Sequence, residues 1–354
     1  MPSNKIIPAC AQIVQNQIQP SIPARWRSQY RFGIQALTCR PFVSLASNAR
    51  QTVPHPDTAS TKMDRLVGNA GLASALGAAA CNLGFVTPRS LVNCDHSQFG
   101  GLLAFVGAVQ TGKGRAIPCL VNTTYWAGLP AHEDAPKSRQ RMRAAYKALD
   151  YGLYDQVRTT LDEFARRLGF WPRLVFDRGF GGEALIRFLF QHEAIFYIRL
   201  KASRLVDLGG QKLRVDQLLA NDMTVILKGM RLRVVRSDEP VTGEPWYILT
   251  SDMAKGRAKI LRIYYHRFEI EETFKDLKHI LDLDLTKLMK PLSLKVLLWF
   301  ASLGFILVHL ASHCHPRYGQ PRHPKKRISW YRQFVEALQR QAYAQMTDLI
   351  TGRL

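Results

Sequence analysis

The segment IYYHRFEIEETFKDLKH, residues 263–279, has the apolar spacing of an amphipathic helix. With about 100° per residue, its apolar side chains fall on one face, which predicts the side that packs on a core. These residues, continued one turn beyond the segment, are Ile263, Ile270, Phe274, Leu277 and Leu281. The opposite face, predicted to be solvated, carries the acidic residues Glu269, Glu272 and Asp276.

A fourth acid of this segment, Glu271, falls at the border between the two faces. It lies in one row with Tyr264, Arg267 and Lys278, so two cations and a phenol flank it. The helix geometry thus singles out Glu271 rather than Glu272 as a candidate for chemistry. The alternative is an ordinary ladder of ion pairs four residues apart, each of small energetic value.

Two further acids follow predicted strands. Asp95 ends the stretch SLVNCD, and Asp177 ends RLVFD, where RGFGG forms a sharp turn. An aspartate after a strand is usually a turn or N-cap residue. Together with Glu271, however, the two aspartates suit a metal-dependent phosphoryl-transfer site, since Mg²⁺ takes hard oxygen ligands.

Composition indicates a globular protein with a polyanionic partner. The 354 residues are 47% hydrophobic, and 49 Lys and Arg against 27 Asp and Glu give a net charge of +22. Nucleic acid is the expected partner, and a generic basic protein or one that binds anionic lipid is the alternative. The six cysteines form no C-x-x-C pair, which predicts reduced thiols in a cytoplasmic protein without a zinc or disulfide framework.

The order of elements predicts an α/β fold with flanking helices. Residues 1–87 read as a small helical N-terminal domain that binds DNA, and residues 88–200 as β-β-β-α-β-α-β, the first part of a mixed α/β core. Residues 201–252 are β-rich and predict an insertion, followed by a helical second part of the core over 253–315 and a basic linker with a final helix over 316–354. The apolar stretch 292–312 predicts a buried core helix, with a membrane helix as the alternative; we expect no membrane partner.

The row on the helix matches a known motif. Tyr264, Arg267, Glu271 and Lys278 have the spacing of the Y-R-E-K signature, so the chain resembles the insertion-sequence DDE transposases of the family numbered four.

Three other segments extend this resemblance. The block from Asp177 to Gly181 is similar to the one around the family's second aspartate, and Asp95 in VNCDHSQFG stands where the first is expected. PWYILTS, which contains Trp246, resembles a strand of the family's β insertion.

The resemblance implies a ribonuclease-H-like mixed sheet with a β-rich insertion. It also implies that Asp95, Asp177 and Glu271 are catalytic and bind two divalent ions, Mg²⁺ or Mn²⁺. The residues implied to contact DNA are Tyr264, Arg267, Lys278, Trp246 and Arg178, with Trp246 stacking on a flipped base.

The implied function is cut-and-paste transposition of an insertion sequence: nicking at the element's end, hairpin formation and strand transfer. The implied partners are double-stranded DNA, as terminal inverted repeats and as target, and a second copy of the chain in a synaptic complex. A bacterial, nucleoid-associated protein is expected. The alternatives are a nuclease of the same fold without strand transfer, and a DNA-binding protein with an inactive site. The presence of all three acids argues against the last.

Overall fold

A computed structural model describes residues 16, 18–38, 56–112, 114–126, 153–237, 245–279 and 290–314. Its centre is one ten-stranded sheet with the order β3-β2-β1-β4-β5-β10-β9-β8-β6-β7. The strands are β1 Leu91–Phe99, β2 Leu102–Val109, β3 Ile117–Tyr125, β4 Arg173–Phe176, β5 Phe196–Leu200, β6 Leu205–Leu208, β7 Gln211–Arg214, β8 Asp222–Leu227, β9 Met230–Arg236 and β10 Tyr247–Thr250.

Helices precede, interrupt and follow the strands. They are α1 Gln19–Ser21, α2 Arg27–Thr38, α3 Pro56–Val67, α4 Ala70–Asn82, α5 Leu153–Leu168, α6 Glu183–Gln191, α7 Arg257–Tyr265, α8 Phe268–His279 and α9 Pro291–Cys314. Short 3₁₀ turns lie at Ala24–Trp26, Arg178–Phe180 and Val215–Gln217.

The first five strands form the expected ribonuclease-H-like core. β1, β2 and β3 make an antiparallel meander. β4 pairs parallel with β1, and β5 pairs parallel with β4, because α5 and α6 carry the chain back to the same end of the sheet. The predicted α/β class, the mixed sheet and the order of elements are confirmed.

The β insertion continues this sheet on the far side of β10, which pairs antiparallel with β5 and β9. Two details of the prediction for this region were wrong. The stretch KLRVDQLL, predicted as one strand, leaves the sheet after Arg214 and enters the 3₁₀ turn. The four-residue strand β6 was not predicted; Gly209 and Gly210, both with positive φ, join it to β7 in a hairpin.

The N-terminal helices and α9 share one hydrophobic core with one face of the meander. Leu72 and Leu76 of α4, Val106 of β2 and Leu298 of α9 are all buried in it. The apolar stretch 292–312 lies in helix α9, and most of its side chains from Ser293 to Ile306 are buried, as predicted for a core helix. In the described part of the chain no helix is long and apolar enough to cross a membrane. Separate domain boundaries stay a prediction, and residues 316–354 lie outside the described part.

The helix predicted over 254–281 is broken in two. α7 ends at Tyr265 and α8 begins at Phe268. The buried side chain of Asn93, on β1, donates from Nδ2 to the carbonyl oxygens of His266 (3.0 Å) and Arg267 (3.3 Å). These bonds occupy the carbonyls at the turn and fix the junction of α7 and α8 against β1.

Candidate active site

The parallel pairing of β1 and β4 brings two aspartates to neighbouring positions. In this register Cys94 lies opposite Phe176, so Asp95 and Asp177 are each the next residue. β1 itself continues to Phe99, so Asp95 lies inside a strand rather than at its end. The shared part of the two strands ends there, however, because β4 stops at Phe176. Beyond Phe176, β1 continues without β4 as its neighbour, which leaves space in the sheet beside Asp95.

Each aspartate is oriented by a backbone amide. Oδ1 of Asp95 accepts from the amide of His96 (2.8 Å), and Oδ1 of Asp177 accepts from the amide of Gly179 (2.7 Å). A Cβ at position 179 would lie 3.0 Å from Oδ1 of Asp177, which favours glycine there. Both carboxylates are thus held by local backbone geometry.

Arg267, at the start of α8, joins the third acid to this pair. Its guanidinium lies 2.5 Å from Oε1 of Glu271 and 3.4 Å from Oδ2 of Asp95. The arginine is 8% exposed and packs its charged end over the ring of Phe268 at 4.8 Å. Arg267 therefore links Glu271 to Asp95, and Asp177 lies beside Asp95 on the neighbouring strand.

The electrostatics of Asp95 show how close the negative charges are. Burial, together with the charges of Asp177 and Glu271, raises the pKa of the Asp95 carboxyl to about 7, although Arg267 and the hydrogen bond from the amide of His96 lower it. Mutual repulsion of this kind is what a bound cation relieves.

The donor set fits a hard divalent cation in its chemistry. All three side chains are carboxylates, and hydrogen bonds within the described residues use Oδ1 of Asp177 and Oε1 of Glu271 but leave Oδ2 and Oε2 without one. Across the same residues, no three Asp, Glu, His or Cys side chains are positioned to share one ion. The guanidinium of Arg267 contacts both Asp95 and Glu271. The side chain of Glu271 is 42% exposed, so it has room to turn toward the aspartates.

Two acids of α8 lie elsewhere than predicted. The buried stripe of Ile263, Ile270, Phe274 and Leu277 is confirmed, but the opposite face is not solvated. Glu269 is 4% exposed, and Asp276 is 5% exposed and lies 2.8 Å from Nε of Arg115. Only Glu272, among these three acids, has a partly exposed side chain, at 37%. The prediction failed because the loop joining β2 to β3 covers this face of α8.

The carboxylate of Glu269 is the anchor of that loop. Oε2 accepts from the amides of Thr111 (2.8 Å) and Gly112 (3.3 Å), and Oε1 accepts from the amide of Gly114 (3.2 Å). Thr273, one turn further along α8, donates to and accepts from the backbone of Ala116 at the loop's end. Backbone amides of the predicted hairpin turn TGKGR therefore surround the Glu269 carboxylate as a cradle. The sequence signal for such a turn is its two glycines, Gly112 and Gly114, both of which have positive φ in the structure.

The residues predicted to contact DNA differ in access. Tyr264 is 1% exposed and Trp246 3%, and their rings pack edge to face at 5.4 Å. Nζ of Lys278 lies 5.3 Å from the ring centre of Phe99, and Arg178 is exposed. Arg178 and Arg267 stand directly beside the carboxylates, whereas stacking on Trp246 requires that its ring first become accessible.

One comparison with known proteins, the match to a family model, agrees in class with this site. Residues 154–306 match a family model described as a transposase DDE domain, a segment that contains Asp177 and Glu271 but begins after Asp95. The match supports a DDE transposase. Among solved structures, the chain is similar to a piggyBac transposase in a synaptic complex with hairpin DNA, with a TM-score of 0.49 and 11% identity over 99% of this chain and 79% of that one. No protein with a curated description matches the sequence.

Proposed function

We propose that the chain is a DNA transposase that cuts and joins DNA by metal-dependent phosphoryl transfer. The observation that carries this proposal is the proximity of Asp95 to both other acids, in a chain with a DDE-domain match: Asp177 lies beside it on the next strand, and Arg267 links it to Glu271. The proposed reaction is cut-and-paste transposition of an insertion sequence of the family numbered four, with end nicking, hairpin formation and strand transfer.

Asp95, Asp177 and Glu271 would hold two Mg²⁺ or Mn²⁺ ions. Bound there, the ions would activate the attacking oxygen and stabilise the leaving oxygen of an in-line displacement. The carboxylates supply oxygen ligands from two rigid strands and one helix, and the amides of His96 and Gly179 keep the two aspartates oriented. Glu271, whose side chain is 42% exposed, is the ligand that adjusts.

The cations beside the carboxylates would bind the DNA phosphates. Arg267 presents a planar fork suited to two phosphate oxygens, and it is already ordered by Glu271 and Phe268. Lys278 adds a point charge two turns along α8, and Arg178 adds one next to Asp177. Trp246 would stack on a flipped base once the contact with Tyr264 opens.

The partners follow from the charge and from the proposed reaction. A net charge of +22 favours double-stranded DNA. Terminal inverted repeats and target DNA would bind at the same carboxylates in turn. Two copies of the chain would pair the two ends in a synaptic complex.

The test is an excision assay with a donor plasmid that carries the gene with its flanking DNA. We expect the wild-type chain with Mg²⁺ to give excised element and strand-transfer products. Asp95→Asn, Asp177→Asn and Glu271→Gln should each give neither, while still retaining DNA in a binding assay. Glu272→Gln, one residue away on the same helix, is the matched control and should remain active.

Each other outcome has a definite meaning. Cleavage without joined product identifies a nuclease of this fold, and DNA retention without cleavage identifies a binding protein with an inactive site. Activity that survives in Asp177→Asn or Glu271→Gln contradicts the proposed roles of these carboxylates.

A further inference from the structure

A second site lies next to the carboxylates, between the ribonuclease-H-like core and the β insertion. It is an open cleft of ≈ 580 Å³, bounded by the turn after β4, the start of α6, the connection from β5 to β6 and the hairpin of β8 and β9. Its charged lining residues are Arg178, Lys201, Arg204, Lys228 and Glu183. Arg178 directly follows Asp177, so the cleft begins where the carboxylate site ends.

The cleft carries a strong positive charge. Glu183, its one acid, lies 2.9 Å from Arg187 and is largely neutralised by it. The pKa of the Glu183 carboxyl is lowered by the hydrogen bond from Arg187 and by the charges of Lys228 and Arg204, so the field of these cations reaches across the cleft. Within the described residues, the four lining cations take part in no ion pair, which leaves them available to an anion.

The start of α6 adds to this field. Gly182 is the N-cap of the helix and offers no side chain to its first amides. Gly182 and Glu183 both line the cleft, so the positive end of the helix dipole faces it. Phosphate groups are the ligands that such an arrangement of amides and cations favours.

Lys228 occupies a backbone position that lysine seldom adopts. It has φ of 51° and precedes Gly229, with φ of 83°, in the two-residue turn that joins β8 to β9. Two-residue hairpins with positive φ at both positions favour Asn-Gly or Gly-Gly. A lysine in the left-handed region, with its side chain on the cleft, indicates that the charge at this point is used.

We propose that this cleft binds the phosphate backbone of the DNA strand that continues from the phosphate held at the carboxylates. Lys201, Arg204 and Lys228 are the contacting cations, and Arg178 joins the two sites. The inference rests on the proposed function, and it assigns the β insertion a share of the DNA contact. The strand would run from Asp177 past the start of α6 to the β8–β9 turn.

The test is DNA binding without divalent ions, so that catalysis plays no part. Lys201→Gln/Arg204→Gln is compared with Lys212→Gln/Arg231→Gln, which removes two exposed cations of the insertion outside the cleft. A labelled 40-base-pair duplex of arbitrary sequence is titrated between about 50 and 200 mM salt. We expect the cleft variant to bind about tenfold more weakly and its slope of log K against log salt to fall by about 1–2. The control should change little, and equal behaviour of the two variants would overturn the inference.

Lys228→Asn separates binding from folding, because Asn suits the turn better than Lys. We expect its Tm to stay or rise by about 1–3 °C while its affinity for the duplex falls about threefold. Unchanged affinity would remove Lys228 from the site. If the wild-type chain cuts its element's ends while the double cleft variant binds like the control, the inference fails and the transposase proposal stands. If the wild-type chain cuts nothing but the double cleft variant still loses affinity for the duplex, the transposase proposal fails and the assignment of the cleft as a DNA-binding site stands.

Discussion

Three glutamates within four positions of α8 should respond to mutation in three different ways. Glu269 is buried and accepts hydrogen bonds from three backbone amides. Glu271 and Glu272 are both partly exposed, but Glu271 pairs with Arg267 next to Asp95, whereas Glu272 pairs with Arg115 and Lys275. We expect Glu269→Ala to lower stability, Glu271→Ala to remove activity, and Glu272→Ala to do neither. The series uses one residue type on one helix, so each variant controls for the other two.

The magnitude for Glu269 follows from its hydrogen bonds. Each bond to a charged group contributes about 1.5–3 kcal/mol, but water can reach amides of a loop once the side chain is removed. The three amides together then give a loss of about 3–5 kcal/mol in the free energy of unfolding. Glu269→Gln keeps one carbonyl oxygen as acceptor and should lose about half as much.

Glu272→Ala should unfold almost like the wild type, because its side chain is 37% exposed and exposed ion pairs contribute about 0–1 kcal/mol. Glu271→Ala should lose more than Glu272→Ala but less than Glu269→Ala, because it leaves the buried guanidinium of Arg267 with Asp95 as its remaining acidic partner. Glu271→Ala should nevertheless abolish excision from the donor plasmid, because a carboxylate of the site is missing. Urea unfolding followed by circular dichroism measures the first property, and the excision assay measures the second.

The refuting result is a loss of similar size at all three positions. If Glu269→Ala unfolds at the same urea concentration as Glu272→Ala, the loop cradle does not hold α8. If Glu271→Ala retains excision, the position of Glu271 on a different face of the helix from Glu272 does not identify a catalytic residue.

Three further variants test the metal site, a buried ion pair and the buried tryptophan. Mg²⁺ at 100 times its dissociation constant should stabilise the wild type by about 2.7 kcal/mol, seen as a raised Tm, and should leave Asp177→Asn unchanged; an equal shift in both would place the ion elsewhere. Burial raises the pKa of Asp252, but hydrogen bonds from Lys255 and Tyr197 outweigh it and lower the pKa to about 2. The stability that this carboxylate contributes is therefore present above its unfolded pKa of about 3.9 and is lost as the pH falls through 2. In urea titrations, Asp252→Asn should lower the free energy of unfolding by about 2 kcal/mol at pH 7 and by progressively less below pH 4. Trp246→Ala should lose about 3–5 kcal/mol because the ring is buried, and Trp246→Phe clearly less, by the same measurement.

The sequence was sufficient to select two aspartates that the fold brings side by side, because the positions of Asp95 and Asp177 depend on local rules. An acid after a short apolar strand marks the carboxyl end of that strand, and parallel strands in one sheet bring such ends together. Asp177 follows this rule directly. Asp95 follows it in part, since β1 extends beyond it and the shared end is set by the length of β4. The border position of Glu271 on its helix was also readable.

The surroundings of the site depended on contacts that no local pattern contains. The loop that covers Glu269 and Asp276 is more than 150 positions earlier in the chain, as in the 158 positions between Thr111 and Glu269. Regular helix geometry applied across residues 263–279 also assumed an unbroken helix, whereas Asn93 holds a turn at His266. A charged residue on an amphipathic helix is solvated only if nothing else packs there, and this is a tertiary property.

The three acids differ in how firmly the structure holds their side chains. Asp95 and Asp177 sit on paired strands with an amide bonded to each, so they can move little relative to each other. Glu271 is carried by a helix that the Glu269 cradle fixes, yet its own side chain ends in solvent. In the proposed site, Asp95 and Asp177 would be the fixed pair of ligands, and Glu271 would be the one that leaves Arg267 and returns. Because Arg267 contacts both Asp95 and Glu271, its positive charge offsets part of the repulsion that Asp177 and Glu271 exert on Asp95.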